Sequence, residues 1–150
     1  GFPEIEMEEQ YVDAFAANLI RRPEDFDVVL TTNLFGDILS DEAAQAAGGL
    51  GLAPAGNIGE GYAIFEPVHG AAFDIAGKGI ANPTSLLLSA AMMFEWLSER
   101  FGDPRGEKVA HRIRNAVSFT FAESPEALTP DVGGRGNTLS MAEEIAKRLA

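Results

Sequence analysis

The chain has 150 residues, of which 46% are hydrophobic, and its formal net charge at pH 7 is −12. This length is enough for a hydrophobic core, and the strong negative charge disfavours nucleic acid and anionic membranes as partners. The chain has no cysteine, which excludes disulfides and cysteine-ligated zinc and favours a cytoplasmic protein. The longest apolar stretch, residues 85–97, is too short to span a bilayer, and the acidic first ten residues are unlike a signal peptide.

Predicted helices and strands alternate along the chain. Apolar spacing and end signals predict helices over 7–22, 34–47 (with Asn33 as N-cap), 82–101, 106–122 and 138–149. Short apolar runs predict strands over 26–32 and 62–67, and the glycine-rich residues 48–61 are expected to form a loop and hinge. The alternation predicts an α/β fold. Because two strands are too few for a full sheet, we expect this chain to be part of something larger.

Two aspartates stand four residues apart in the predicted helix 34–47. Asp37 and Asp41 therefore lie on one helical face, where two like charges repel each other. No Lys or Arg occurs between Pro23 and Gly77, although that stretch holds nine acidic residues, so local salt bridges cannot explain the pair. Hard cations such as Mg²⁺ or Mn²⁺ bind carboxylate oxygens readily. The spacing is thus compatible with a metal site, although the spacing alone favours an ordinary exposed helix face. Asp13, at the edge of the first apolar stripe, is a third candidate.

The loop before the third predicted helix, HGAAFDIAGKGIANP (69–83), combines a histidine, an aspartate and three glycines. Glycines allow a backbone to approach a ligand closely, and the carboxylate of Asp74 can accept hydrogen bonds from ribose hydroxyls. That chemistry suits NAD and repels the additional phosphate of NADP. The dinucleotide fingerprint G-x-G-x-x-G does not occur in the chain, so an ordinary structured loop stays open as the alternative.

Three segments together resemble one enzyme family. They are YVDAFAANLIRRPEDFDVVLTTNLFGDILSDEAA, NIGEGYAIFEPVHGAAFDIAGKGIANPT and LTPDVGG. The chain is similar throughout to the C-terminal part of the isocitrate/isopropylmalate dehydrogenases, which are metal-dependent β-decarboxylating dehydrogenases. Phe73 stands where many members have proline. The resemblance is greatest to archaeal isopropylmalate dehydrogenases.

The resemblance implies roles for individual residues. Asp37 and Asp41 match the aspartates that bind Mg²⁺ or Mn²⁺, and Asp13 matches the one that reaches the same metal from the partner subunit; Asp13 and Asp37 would thereby also be catalytic. The implied NAD-binding residues are His69, Gly70, Ala71, Asp74, Ile75, Asn82 and Asp131. Asp74 and Ile75 occupy the positions that select the cofactor, and an aspartate there points to NAD.

The implied reaction is oxidation and decarboxylation of a 2-hydroxy acid, 3-isopropylmalate in leucine biosynthesis, by a cytoplasmic dimer with a shared active site. Homoisocitrate, isocitrate and tartrate dehydrogenases are alternatives, as is a noncatalytic truncated homologue. The family's substrate-binding arginines, catalytic tyrosine and lysine, and N-terminal strands have no counterpart in the chain. We therefore expect residues 1–48 to belong to the smaller, dimer-forming domain and 49–150 to the larger, NAD-binding domain, with the N-terminal portion missing.

Overall fold

The computed structural model describes residues 2–149 and is a helix-rich mixture of α and β elements, as predicted. Its helices within that range are α1 (Val12–Arg21), α2 (Asn33–Ala46), α3 (Thr84–Phe101), α4 (Pro104–Glu123) and α5 (Thr138–Lys147). Its strands are β1 (Pro54–Ile58) and β2 (Ala63–Pro67). The chain forms two compact units, Gly1–Ala47 and Gly48–Ala150. Within residues 2–149, no helix is both long and apolar enough to cross a membrane.

The first unit is a pair of helices with a small apolar core. Phe15 and Leu19 of α1 pack against Leu39 of α2, and all three are buried. The ring of Phe26, from the segment between the helices, meets Phe15 edge-on with the centroids 4.9 Å apart. Helix α1 begins at Val12 rather than at residue 7 because Met7, the apolar residue of the earlier turn, is 81% exposed and has no core contact to hold it.

The predicted strand over 26–32 is wrong for the isolated chain. This segment has no strand assignment, and Val28 and Leu30 are 90% and 98% exposed. A strand is stable only when a neighbouring strand pairs with its backbone and another layer covers its apolar side chains. The described part of the first unit contains helices only, so the segment has no strand to pair with.

The second unit begins with a hairpin that lies against α3. Strands β1 and β2 are antiparallel, with Pro54 opposite Pro67 and Ile58 opposite Ala63. The prediction of a loop through 48–61 is therefore wrong at β1, whose Pro, Gly and Asn disfavour strands intrinsically. Tertiary packing decides the outcome here: a Cβ at Gly56 would lie only 3.2 Å from the Phe65 ring, so the glycine permits the close approach of β2.

The core of the second unit is formed by α3, α4 and α5. Its buried apolar residues include Ala116, Val117, Leu128, Met141 and Ile145. Two helix starts have clear polar caps: Asp103 accepts a hydrogen bond from the Arg105 amide at α4, and Asn137 forms a capping box with Ser140 at α5. The predicted Asn33 cap is displaced by one residue, since Thr32 is the N-cap of α2 and makes no side-chain cap bond.

Candidate functional site

Helix α2 presents two uncompensated carboxylates. Asp37 and Asp41 are both exposed, one helical turn apart, whereas Leu39 and Ala44 face the core. Across residues 2–149, no Lys, Arg or His nitrogen lies within 4.0 Å of either carboxylate. The oxygens are therefore available to a ligand, and hard divalent cations prefer this donor type.

Asp13 is exposed on α1, where its Oδ1 accepts a 2.9 Å hydrogen bond from the Ala14 amide. Its position does not complete a trio with the α2 pair: in the part of the chain that the structure describes, no three His, Cys, Asp or Glu side chains are grouped to hold a metal. The donor set thus fits a cation only if further oxygens come from water, substrate or another chain. This requirement is compatible with Mg²⁺, which often uses one or two protein carboxylates together with substrate oxygens.

The second candidate region is the loop 69–83. It is irregular apart from one 3₁₀ turn, Phe73–Ile75, which places Asp74 on the surface. His69 is half-buried, and its Nδ1 lies 2.9 Å from the Gly70 carbonyl oxygen. Gly77 and Gly79 both have positive φ, at 76° and 67°, which explains why glycines occupy these two positions.

The end of this loop is joined to a distant part of the chain. The side-chain Nδ2 of Asn82 donates a 3.0 Å hydrogen bond to Oδ2 of Asp131, while Asn82 Oδ1 accepts another from the backbone amide of Thr84 at the start of α3. A Cβ on Gly51 would lie 3.0 Å from both Asn82 Cβ and Asp131 Oδ2, so Gly51 fits closely against this pair. The structure therefore brings together two of the predicted cofactor-binding residues, 49 positions apart.

Two positioning residues were missed by sequence reasoning. Thr138, the first residue of α5, donates from its amide to the Gly79 carbonyl at 2.8 Å and from its hydroxyl to the Ala81 carbonyl at 2.6 Å. Gly51 is the second. The sequence marks Thr138 as a helix start and Gly51 as one of many loop glycines, but neither pattern carries a signal that links it to residues 79–82.

Comparison with known proteins then decides the family. The family model described as isocitrate/isopropylmalate dehydrogenase matches residues 1–146. The chain belongs to the isocitrate/isopropylmalate dehydrogenase family. It is 54% identical over 145 residues to a 3-isopropylmalate dehydrogenase of Sulfurisphaera tokodaii, and 51% identical over 148 residues to an isocitrate/homoisocitrate dehydrogenase of Thermus thermophilus. These findings confirm the resemblance drawn from the three segments.

Solved structures of the isocitrate/isopropylmalate dehydrogenase family confirm the fold. A crystal structure of isocitrate dehydrogenase from Methylococcus capsulatus matches 99% of this chain and 42% of its own, at a TM-score of 0.87 and 45% identity. The two sequence relatives show the same proportions: 97% and 99% of this chain are covered, but only 43% and 42% of theirs. The chain thus spans less than half the length of these relatives.

Proposed function

We propose that this chain is the C-terminal part of an NAD- and metal-dependent oxidoreductase that oxidises and decarboxylates 3-isopropylmalate in leucine biosynthesis. The observation that supports this most strongly is the Asp37–Asp41 pair, exposed and without a cationic partner in residues 2–149, in a chain of this family. A merely structural acidic face would gain from a neighbouring Lys or Arg. None stands between Pro23 and Gly77.

In the proposed reaction, Asp37 and Asp41 would hold Mg²⁺ or Mn²⁺ through their carboxylates. Asp13 completes the site from the partner subunit of a homodimer, which accounts for its separation from the α2 pair. A bound cation would supply Lewis-acid polarisation of the substrate's hydroxyl and adjacent carboxylate, and a bound NAD⁺ would supply the acceptor for the hydride that leaves the alcohol carbon. Asp13 and Asp37 would contribute to the reaction by holding the positive charge of the cation beside the reacting carbon of the substrate.

The loop residues would hold the dinucleotide. Asp74 accepts hydrogen bonds from the adenosine ribose, and its negative charge, in a chain of net charge −12, opposes the 2′-phosphate of NADP. The other proposed NAD contacts in this loop are His69, Gly70, Ala71 and Ile75. Asn82 and Asp131 form a fixed hydrogen-bonded base for the adenosine end.

The domain assignment proposed for the complete enzyme rests on the layout of the family, and its boundary lies one residue from the boundary between the two compact units. Residues 1–48 would belong to the smaller dimer-forming domain and 49–150 to the larger NAD-binding domain. The portion absent from this chain would supply the contacts that select and bind the substrate. The 150-residue chain alone is therefore expected to be inactive. A cytoplasmic location stays a prediction from the cysteine-free composition.

Homoisocitrate, isocitrate and tartrate are alternative substrates, because residues that would distinguish them are expected outside this chain. The 51% identical Thermus thermophilus relative is named for isocitrate and homoisocitrate, whereas the 54% identical Sulfurisphaera tokodaii relative is named for 3-isopropylmalate. A noncatalytic truncated homologue is the other class. Such a subunit would be free to lose its metal ligands, and the presence of Asp13, Asp37 and Asp41 argues against it.

The deciding experiment begins with the intact mass of the native protein under denaturing conditions. A mass well above 16.0 kDa, or a second chain with the other half, is expected. NADH formation is then followed from 3-isopropylmalate with Mn²⁺, in parallel with homoisocitrate, isocitrate and tartrate, and with NADP⁺ as the cofactor control. Steady turnover by a chain proven to have only these 150 residues would contradict the proposed division, and absence of turnover by the complete enzyme would contradict the function.

A further inference from the structure

Phe73 is an aromatic side chain that the fold of the second unit leaves in solvent. It is 87% exposed, and it belongs to neither of that unit's buried clusters. Exposing a whole phenyl ring forgoes the stabilisation that its burial would bring. The ring is therefore available to a flat apolar ligand.

The backbone around Phe73 is held in an unusual conformation. Ala72, immediately before it, has φ 44° and ψ 56°, and it is the only non-glycine residue with positive φ among residues 2–149. That conformation is costly for a residue with a Cβ, and such outliers concentrate at ligand sites. The turn is nevertheless fixed by hydrogen bonds from the Ile75 amide to the Ala72 carbonyl at 3.1 Å and from the Lys78 amide to the Ile75 carbonyl at 3.1 Å. The strained turn thus presents Phe73 outward rather than folding it into the core.

The neighbouring residue adds the second half of a recognition site. Asp74 follows directly in the same turn and is also exposed. A planar apolar surface beside a carboxylate matches adenosine, whose base stacks on aromatic rings and whose ribose hydroxyls donate to carboxylates. We propose that Phe73 is a cofactor-binding residue whose ring stacks on the adenine ring of the dinucleotide held by Asp74. This inference rests on the proposed function, because it assigns a residue to the same cofactor site.

The test uses the complete enzyme with Phe73→Leu, Phe73→Tyr and a matched control, Phe101→Leu. Leucine keeps the apolar character but loses the flat ring, whereas tyrosine keeps the ring. Phe101 is 69% exposed at the end of α3 and has no proposed role in the site. We expect Phe73→Leu to raise the KM for NAD⁺ about fivefold or more, with kcat nearly unchanged. Inhibition by AMP, which contains only the adenosine half, should weaken by the same factor; Phe73→Tyr and Phe101→Leu should leave both values near wild type.

The outcomes separate this inference from the proposed function. If the wild-type enzyme reduces NAD⁺ normally and Phe73→Leu changes neither the KM nor AMP inhibition, stacking is wrong and the function stands. A lower melting temperature of Phe73→Leu with an unchanged KM would show that Phe73 packs against another part of the enzyme, and would also overturn the inference. If the wild-type enzyme does not bind NAD⁺ or AMP at all, the function and the inference both fail. Circular dichroism checks that each variant is folded.

Discussion

Asn82 donates a 3.0 Å hydrogen bond to Asp131 and thereby ties the end of the candidate dinucleotide loop to the 3₁₀ turn Pro130–Val132. The same Asn82 side chain accepts from the Thr84 amide, which satisfies one of the free donors at the start of α3. One amide group thus fixes the relation between a helix start and two loops. Both partners are polar and reachable by a ligand, so the contact can serve structure and binding together.

The Asn82–Asp131 pair gives the first prediction. A double-mutant cycle with Asn82→Ala, Asp131→Ala and the double variant should show a coupling of about 0.5–1.5 kcal/mol in the free energy of unfolding. Asn82→Ala should be the more destabilising single change, because it also removes the bond to the Thr84 amide. Urea unfolding measures both effects. Strictly additive single effects would contradict an energetic link between the two loops.

Gly51 gives a second prediction about the same junction. A Cβ at this position would lie 3.0 Å from Asn82 Cβ and from Asp131 Oδ2, so Gly51→Ala should push the pair apart. Overpacking of this kind costs about 1–3 kcal/mol in unfolding free energy. Gly61→Ala is the control, because a Cβ there would meet nothing within 4 Å. Equal melting temperatures for the two variants would show that Asn82 and Asp131 can shift to accommodate the added methyl group without loss of stability.

The metal proposal predicts a specific loss on α2. In the complete enzyme, Mn²⁺ at 100 times its Kd should stabilise the fold by about 2.7 kcal/mol, and EDTA should remove this gain. Asp37→Asn and Asp41→Asn should each abolish most of the Mn²⁺-dependent rise in melting temperature and the NADH formation that depends on it. Glu24→Gln is the matched control, since it removes one exposed acidic charge from the same unit without touching α2. If Glu24→Gln lowers the Mn²⁺ effect as strongly as the Asp37 variant does, only general charge attraction is involved.

Sequence patterns predicted the elements whose stability is local. All five predicted helices form, although α1 begins at Val12 rather than at residue 7 and the N-cap of α2 is Thr32 rather than Asn33. Properties that depend on distant partners escaped prediction. Strand β1 forms despite its glycine because Phe65 packs over Gly56, and Asn82 reaches Asp131 through a fold that no spacing reveals. The left-handed backbone of Ala72 likewise has no signal in its residue type.

The Glu95–Arg114 ion pair predicts a dependence of stability on pH. Arg114 of α4 donates two hydrogen bonds to Glu95 of α3, at 3.0 and 2.7 Å, and these lower the pKa of Glu95 below its ordinary 4.5. Because the folded-state pKa is the lower one, the pair stabilises the fold above pH 4.5, and this contribution disappears as pH falls through the folded-state pKa. Both side chains are 39% exposed, so solvent screening limits the contribution to at most about 1 kcal/mol.

Glu95→Gln should therefore lower the melting temperature at pH 7, and the difference from wild type should shrink progressively in acid. Glu143→Gln, an exposed acid on α5 without an ion pair in the described residues, controls for the loss of one charge. A difference between Glu95→Gln and wild type that stays constant from pH 7 to pH 3 would assign the effect to packing rather than to the ion pair.

The segment 26–32, which is exposed from residue 27 onward, provides the last prediction. Val28 and Leu30 are almost fully in solvent here, although the run FDVVLTT has the composition of a buried strand. In the complete enzyme we expect strands from outside this chain to pair with the segment, so that the amides of residues 27–31 exchange slowly with solvent. In the isolated 150-residue chain the same amides should exchange fast, and the exposed apolar side chains should promote self-association.

The substitution Leu30→Lys tests the prediction both in the isolated chain and in the complete enzyme. It should reduce self-association of the isolated chain, measured by light scattering, because it removes the most exposed apolar side chain of the segment and adds a charge. In the complete enzyme it should destabilise the fold by about 2–5 kcal/mol, because a charged side chain would replace a leucine that we expect to be buried there. Thr31→Lys, the neighbouring exposed position, is the control. Fast exchange over 27–31 in the complete enzyme, together with equal stability of both variants, would show that this segment stays unpaired there as well.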